Sequence, residues 1–191
     1  TKTPLFQKHH AEIYVDRLET ARVLMAWPIP SAKEQLINMG NDIATSLLCE
    51  GRRSRLVQHL REDLKIVESI DMDVTLLEQG GLIILEACCI ENNVNIVQEE
   101  INKILKECIE EAPTDQETKR AHQLVRNSIC FGVEMTTQVA GLAGSYALWK
   151  RHQPLLEPLN YISYWSGSKI QKEIFPKLQP ELSCTLITRP N

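Results

Sequence analysis

The sequence predicts an α+β fold in two layers: a mixed, mainly antiparallel sheet covered by helices, in a split β-α-β-β-α-β order. Alternating apolar and polar residues predict strands at about 20–27, 65–76, 82–90 and 182–188. Amphipathic helical patterns lie before the second strand and after the third. No repeat or linker composition interrupts the 191 residues, so we expect a single α+β domain over 1–191, with 1–16 as an extended lead-in.

The first strand and the first helix are predicted from an apolar face followed by helix-start residues. Alternate residues along the strand are Ala21, Val23, Met25 and Trp27. Prolines at positions 28 and 30 end this strand. Ser31 and Glu34 have the spacing of a capping box, and an apolar stripe then predicts a helix to Leu48, which Gly51 ends.

The second and third strands are predicted to form a hairpin with its turn at Gly80 and Gly81. The regular alternation of the second strand places these residues on one face: Leu64, Ile66, Glu68, Ile70, Met72, Val74 and Leu76. The third strand is apolar on both faces, as in the centre of a sheet. Glu68 is the only charge on the apolar face of the second strand, and a carboxylate desolvated there is costly unless it is paired.

The second half of the chain is predicted to be mainly helical. One amphipathic helix covers about 93–111 and ends at Pro113. Thr114 and Glu117 form a capping box for a second helix, which we expect to extend to about Lys150 with several glycines interrupting its pattern. Residues 161–175 have a weak helical pattern before the closing strand.

Composition excludes several classes of function. The net charge of −4 gives no broad basic surface, so we expect no nucleic-acid partner. No apolar run reaches the roughly 18 residues of a membrane span, so we expect no membrane partner. The six cysteines form no C-x-x-C pair, which favours free thiols on apolar faces in a reducing, cytoplasm-like compartment.

Residues that could bind metal or act as nucleophiles are sparse. His9 and Glu12 come near the H-x-x-E-H motif of certain zinc peptidases, but Ile13 stands where its closing histidine would be. A catalytic zinc needs three protein ligands, and we expect no metal site and no catalytic residue in this segment. No serine or cysteine has a neighbouring base at a spacing that indicates a nucleophile.

The stretch from Glu50 to Glu62 carries the strongest motif. Its G-x-x-S-R-L-x-x-x-L-R-E spacing resembles the pitrilysin, insulinase and mitochondrial-processing-peptidase family of zinc peptidases, the inverzincins. The order of the other elements follows the same family, including Asn93-Val94 at a helix start and Pro113 four residues before Glu117. The chain resembles the second, non-metal-binding domain of one peptidase half, that is, its C-terminal domain.

The resemblance implies a metallohydrolase-like fold and a role in a zinc-dependent processing or oligopeptide-degrading peptidase. In that family two halves, in a homo- or heterodimer, close around a chamber in which peptides are cut. This domain would form a wall of the chamber and part of the interface between halves. Zinc would then be held by the full-length enzyme or by its partner half, and the fragment alone should be inactive. The alternative is a non-catalytic peptide-binding or assembly subunit that has lost peptidase activity.

Arg61 and Glu68 occupy the family's arginine and tyrosine positions. The resemblance implies a weak substrate-binding role for Arg61. A carboxylate in place of the tyrosine would repel a developing oxyanion. We therefore expect Arg61 and Glu68 to form a structural ion pair. Either this half leaves the substrate contact to its partner half, or the whole protein is catalytically degenerate.

Overall fold

The computed structural model describes residues 6–191 and places five strands in one sheet. The strands are β1 (His9–Val15), β2 (Ala21–Ile29), β3 (Ser69–Leu77), β4 (Gly80–Cys89) and β5 (Cys184–Pro190). Their order across the sheet is β1-β5-β2-β4-β3. Only β1 and β5 are parallel, among the neighbouring strands described, so the predicted mixed and mainly antiparallel sheet is confirmed.

Helices account for most of the remaining chain. The α-helices are α1 (Gln35–Cys49), α2 (Val94–Glu110), α3 (Asp115–Phe131), α4 (Thr136–Leu148) and the short α5 (Gly167–Lys169). π-Helical turns cover Val57–Asp63 and Ile170–Ile174, and 3-10 turns cover Glu91–Asn93, Glu157–Tyr164, Phe175–Leu178 and Pro180–Leu182. Within residues 6–191, every helix is too short or too polar to span a bilayer.

One hydrophobic core lies between the sheet and the helices. The predicted inner face of β2 is confirmed, because Ala21, Val23, Met25 and Trp27 are at most 1% exposed. Trp165 packs tightly against α1, where a Cβ on Gly40 would lie 2.7 Å from two of its ring carbons. Burial of such large apolar side chains contributes roughly 1.5–3 kcal/mol each.

The opposite face of the sheet is open. Alternate residues on this face are only half-buried, and they include Leu24, Ala26, Leu82, Ile84, Glu86, Cys184 and Leu186. Register places Leu24 of β2 beside Leu186 of β5 and Glu86 of β4. This surface therefore combines an apolar centre with scattered charge.

The lead-in, the start of the first helix and the end of the long helix differ from the prediction. The lead-in is not merely extended, because His9–Val15 hydrogen-bonds to β5 as an edge strand. The predicted Ser31–Glu34 capping box is absent, since α1 begins at Gln35 with no side-chain cap. The long helix predicted to reach Lys150 stops at Phe131, because Gly132 ends α3 and the chain restarts as α4.

Candidate functional site

The arginine-rich motif folds as a tight connection after α1. Gly51 has φ of +80°, a left-handed conformation that glycine adopts without steric cost, and its carbonyl accepts hydrogen bonds from the Ser54 amide and hydroxyl. Leu56 and Leu60 are completely buried below the motif. The motif serine and leucines therefore hold this connection against the core, while Arg52, Arg53 and Arg61 are exposed.

Arg55 links this connection to the start of α3. Its guanidinium donates to both carboxylate oxygens of Glu117, at 2.9 Å and 3.4 Å, and to the Glu111 carbonyl at 3.2 Å. Glu117 also accepts from the Thr114 amide and hydroxyl, so the predicted capping box is confirmed. Burial opposes ionisation of Glu117, but these hydrogen bonds outweigh it and lower its pKa to about 2. We call Arg55, Glu117 and Thr114 the paired junction.

Arg61 and Glu68 do not form the predicted ion pair. Both residues are exposed, and no hydrogen bond or ion pair within 4.0 Å joins them in the described structure. The strand predicted from position 65 begins only at Ser69, because the backbone of Lys65 is in the left-handed conformation. The Glu68 amide donates a hydrogen bond to the Cys88 carbonyl, and Cys88 is also the cross-strand partner of Ser69. Glu68 and Ser69 therefore both lie opposite Cys88, which is the arrangement of a β-bulge. The bulge shifts the alternation of side chains, so that Val67 is buried and Glu68 points outward.

The near-match to a zinc motif lies on the edge strand β1. Glu12 is engaged by Arg189 of β5, and His9 is exposed. Across residues 6–191, no group of three or more His, Cys, Asp or Glu side chains is placed to hold a metal ion. The residues present therefore do not fit a zinc site.

The other histidines and the cysteines have ordinary surroundings. His59 contacts Glu100 at 2.7 Å, which lowers the pKa of that carboxyl, and His122 contacts the Trp165 carbonyl at 2.8 Å. All six cysteines are free. The prediction that they lie on apolar faces is wrong for Cys130, which is exposed on α3.

An acidic cleft lies between α1, the edge strand β3 and α3. Its volume is about 470 Å³. Its polar lining consists of Asp42, Thr45, Ser46, Cys49, Glu50, Asp71, Asp73 and Ser128, and its apolar lining consists of Met72, Val74, Val125 and Ile129. The lining contains four carboxylates and no Lys, Arg or His. We call this surface the acidic cleft.

Burial and mutual repulsion perturb the titration of the acidic cleft. Burial first, and the charge of Glu50 second, raise the pKa of Asp42 to about 7. Burial and the charges of Asp71 and Asp73 raise the pKa of the Cys49 thiol well above its ordinary value, so this thiol remains protonated at neutral pH. The cleft thus strongly favours a positive charge.

Sequence reasoning did not identify the acidic cleft. Strand alternation puts Asp71 and Asp73 on the polar face of their strand, but it does not predict that this strand lies beside α1. A second signal was present on α1, where polar residues recur at helical spacing (Asn38, Asp42, Thr45 and Ser46, Cys49) beside the apolar stripe. Because few positions of α1 are exposed, this polar stripe indicates that a second, polar face of the helix contacts another part of the fold.

The fold and the comparisons define the class of this protein. The profile of the family described as the peptidase M16 inactive domain matches residues 1–125. The chain therefore belongs to the family of M16 inactive domains. None of the curated proteins matches the sequence.

Several solved structures share the fold. A protease from Helicobacter pylori is 18% identical with a TM-score of 0.84, and the match covers 95% of this chain and 44% of that one. An M16 inactive domain from Pseudomonas fluorescens is 12% identical with a TM-score of 0.80, over 100% and 46% of the two chains. A chain of complex III2 from Candida albicans is 15% identical with a TM-score of 0.80, over 96% and 46%. The chain thus spans less than half the length of these relatives.

Proposed function

We propose that this chain is a non-metal-binding domain of a zinc-dependent peptidase, in which it forms a wall of the peptide chamber and contributes to the interface between halves. The observation that supports this most directly is the open sheet face, whose half-buried apolar residues lie on a broad surface without a helical cover. Family membership supports the peptidase context. The zinc ligands would lie outside residues 6–191, because the residues here do not fit a metal site.

Helix α4 supports the interface role. Its 13 residues include no charged side chain, and only Tyr146 among them is buried. Met135 and Leu148 at its two ends are 56% and 77% exposed, and Phe131 at the end of α3 is 61% exposed. Exposed apolar surface of this kind is typical of contact with another domain or subunit. The metal-bearing domain or partner half is the proposed occupant, and peptide is the proposed substrate.

Arg61 is the proposed substrate-facing residue of this domain. It is exposed and is not engaged by Glu68, so its guanidinium is available to contact a peptide carbonyl or carboxylate. The carboxylate of Glu68 replaces the tyrosine hydroxyl of the resembled enzymes, so this domain would not supply the second hydrogen-bond donor.

The proposal is tested on the full-length protein together with any partner half. We expect stoichiometric zinc and cleavage of an internally quenched peptide by the assembly, and neither property in the 191-residue chain alone. Leu24→Lys on the open face should slow peptide cleavage without loss of stability. The control is Leu156→Lys, at a leucine that is 44% exposed elsewhere on the surface.

A non-catalytic assembly or peptide-binding subunit is the second candidate function. The structural likeness to a chain of complex III2 and the loss of the tyrosine at position 68 both favour it. Under this alternative, the full-length assembly would form a stable complex yet contain no zinc and cleave no peptide. Those measurements separate the two functions.

A further inference from the structure

The chain between α1 and β3 forms a π-helical turn over Val57–Asp63. In such a turn an amide donates to the carbonyl five residues earlier, as the Leu64 amide does to the His59 carbonyl at 2.9 Å. The Gln58 side chain also donates to the carboxylate of Asp63, five residues later, at 3.0 Å. π-Helical turns are rare and frequently occur at functional sites, so this one is a candidate for a functional role.

The local sequence does not explain the π-helical turn. Residues 57–63 include neither proline nor glycine, which most often disrupt an α-helix. Contacts with the rest of the fold therefore favour the wider turn over an α-helix. Leu60 is completely buried and anchors the turn to the core, and the His59 ring connects the turn to α2.

A hydrogen bond joins His59 to Glu100 of α2. The ring Nε2 lies 2.7 Å from Oε2 of Glu100, and Nζ of Lys103 lies 3.5 Å from the same oxygen. An ionised carboxylate can only accept, so Nε2 carries the proton and donates the hydrogen bond. The side chains of His59 and Glu100 are 29% and 23% exposed, so water competes for this bond less than at an open surface. His59 therefore holds the turn through its carbonyl and α2 through its ring.

The π-helical turn determines the direction of Arg61, which follows His59 by two residues and is exposed. One residue of an α-helix turns the chain by about 100° around the helix axis. A π-helical turn contains one residue more than the α-helical turn, so loss of the π-helical turn would rotate the Arg61 side chain relative to α2 by an angle of that order. The direction of the guanidinium thus depends on the contacts that maintain the turn.

We propose that His59 is a positioning residue, whose hydrogen bond to Glu100 maintains the π-helical turn and so orients Arg61. The use of that orientation for peptide binding rests on the function proposed above. The effect of His59 on the turn does not, so it can be measured in the 191-residue chain without any peptidase activity.

Native-state hydrogen exchange, detected by NMR, measures the effect of His59 on the turn. In His59→Leu the Leu64 amide should exchange about tenfold faster than in the wild type, because a hydrogen bond to a charged group is lost. Glu100→Ala removes the same hydrogen bond from the side of α2 and should have the same effect. His59→Gln should restore slow exchange, since the glutamine amide can donate from a similar position.

His122→Leu is the matched control. The His122 ring lies 2.8 Å from the Trp165 carbonyl, so this variant also loses a histidine contact, but from α3 rather than from the turn. The Leu64 amide should keep its wild-type exchange rate in His122→Leu.

Cleavage of an internally quenched peptide by the full-length assembly measures the effect on substrate. His59→Leu should raise KM about tenfold and change kcat less than about twofold, as expected when a contact shared by the ground state and the transition state is weakened. His59→Gln should restore KM, and His122→Leu should leave it unchanged. In an Arg61→Ala background His59→Leu should raise KM no further, because His59 acts through Arg61.

Unchanged exchange of the Leu64 amide in both His59→Leu and Glu100→Ala would overturn the proposal. In an active assembly, an unchanged KM in His59→Leu would also overturn it, and so would an undiminished effect of His59→Leu in the Arg61→Ala background. A wild-type assembly that cleaves no peptide would contradict the proposed peptidase function alone, and the exchange rates would then decide whether His59 maintains the turn.

Discussion

The paired junction and the acidic cleft both hold partly buried carboxylates, but the protein treats them in opposite ways. At the junction, Glu117 is bound by Arg55 and by its own cap residue, and its pKa falls to about 2. In the cleft, no described cationic side chain lies beside Asp42, and its pKa rises to about 7. The difference indicates that the first carboxylate stabilises the fold and the second is retained at a cost to stability.

The largest expected effect is at the paired junction. Arg55→Met leaves Glu117 partly buried without its ionic partner, so the free energy of unfolding should fall by about 3 kcal/mol. Urea denaturation monitored by circular dichroism measures this loss. Arg52→Met is the matched control, because Arg52 is 86% exposed and should change stability by less than about 0.5 kcal/mol. Equal losses in the two variants would contradict the structural role of Arg55.

The dependence of the free energy of unfolding on acidic pH tests the contribution of Glu117 separately. Its folded pKa of about 2 lies below its ordinary value of 4.5, so its contribution is present above pH 4.5 and is lost as pH falls towards 2. The wild type should therefore lose stability over this range. Glu117→Gln should flatten that part of the pH profile of unfolding free energy. An unchanged slope in the variant would assign the acid sensitivity to other groups.

Two buried serines give a matched comparison of the two regions. Ser54 is 0% exposed and donates to the Gly51 carbonyl at 2.7 Å, so Ser54→Ala should cost about 1 kcal/mol. Ser46 is 2% exposed and its hydroxyl has no partner, so Ser46→Ala should cost almost nothing or stabilise slightly. Thermal unfolding of both variants measures the contrast. A larger loss for Ser46→Ala would show that its hydroxyl is satisfied in the folded chain.

The smallest effect is expected at Glu68. This carboxylate is exposed and is not paired with Arg61, so Glu68→Ala should change the free energy of unfolding by less than about 0.5 kcal/mol. The Arg61→Ala and Glu68→Ala double-mutant cycle checks the point, since independent residues give additive changes. A coupling energy above about 1 kcal/mol would restore the ion pair predicted from the sequence.

The fold could be predicted from the sequence because its main signals are local and periodic. The apolar face of β2, the hairpin of β3 and β4 and the Thr114–Glu117 capping box each specify structure over a few residues. The prediction of the hairpin turn at Gly80 and Gly81 is wrong, because the turn is at Glu78 and Gln79 and both glycines belong to β4. Strand β1 was missed because a short, exposed edge strand has little alternation, and it is fixed by pairing with β5 at the far end of the chain.

The sites were harder to predict because they depend on small local irregularities and on distant contacts. The bulge opposite Cys88 turns Glu68 out of the face on which its periodicity places it. Arg55 and Glu117 are 62 residues apart, and Asp42 and Asp73 line one cleft only because α1 packs beside β3. Sequence periodicity predicts which residues share one face of a helix or strand, but not which two faces pack together.

The central claim is that the Asp42 carboxyl of the acidic cleft is retained at the expense of stability. The most direct measurement is the free energy of unfolding of Asp42→Asn and of wild type at pH 4 and at pH 8. Since Asp42 is protonated in the folded state up to about pH 7 but charged in the unfolded state above pH 3.8, stability falls as pH rises between these values. Asp42→Asn should therefore be more stable than wild type by about 2 kcal/mol at pH 8, and this difference should be small at pH 4. A variant that is no more stable than wild type at pH 8, or whose advantage is the same at both pH values, would contradict the account.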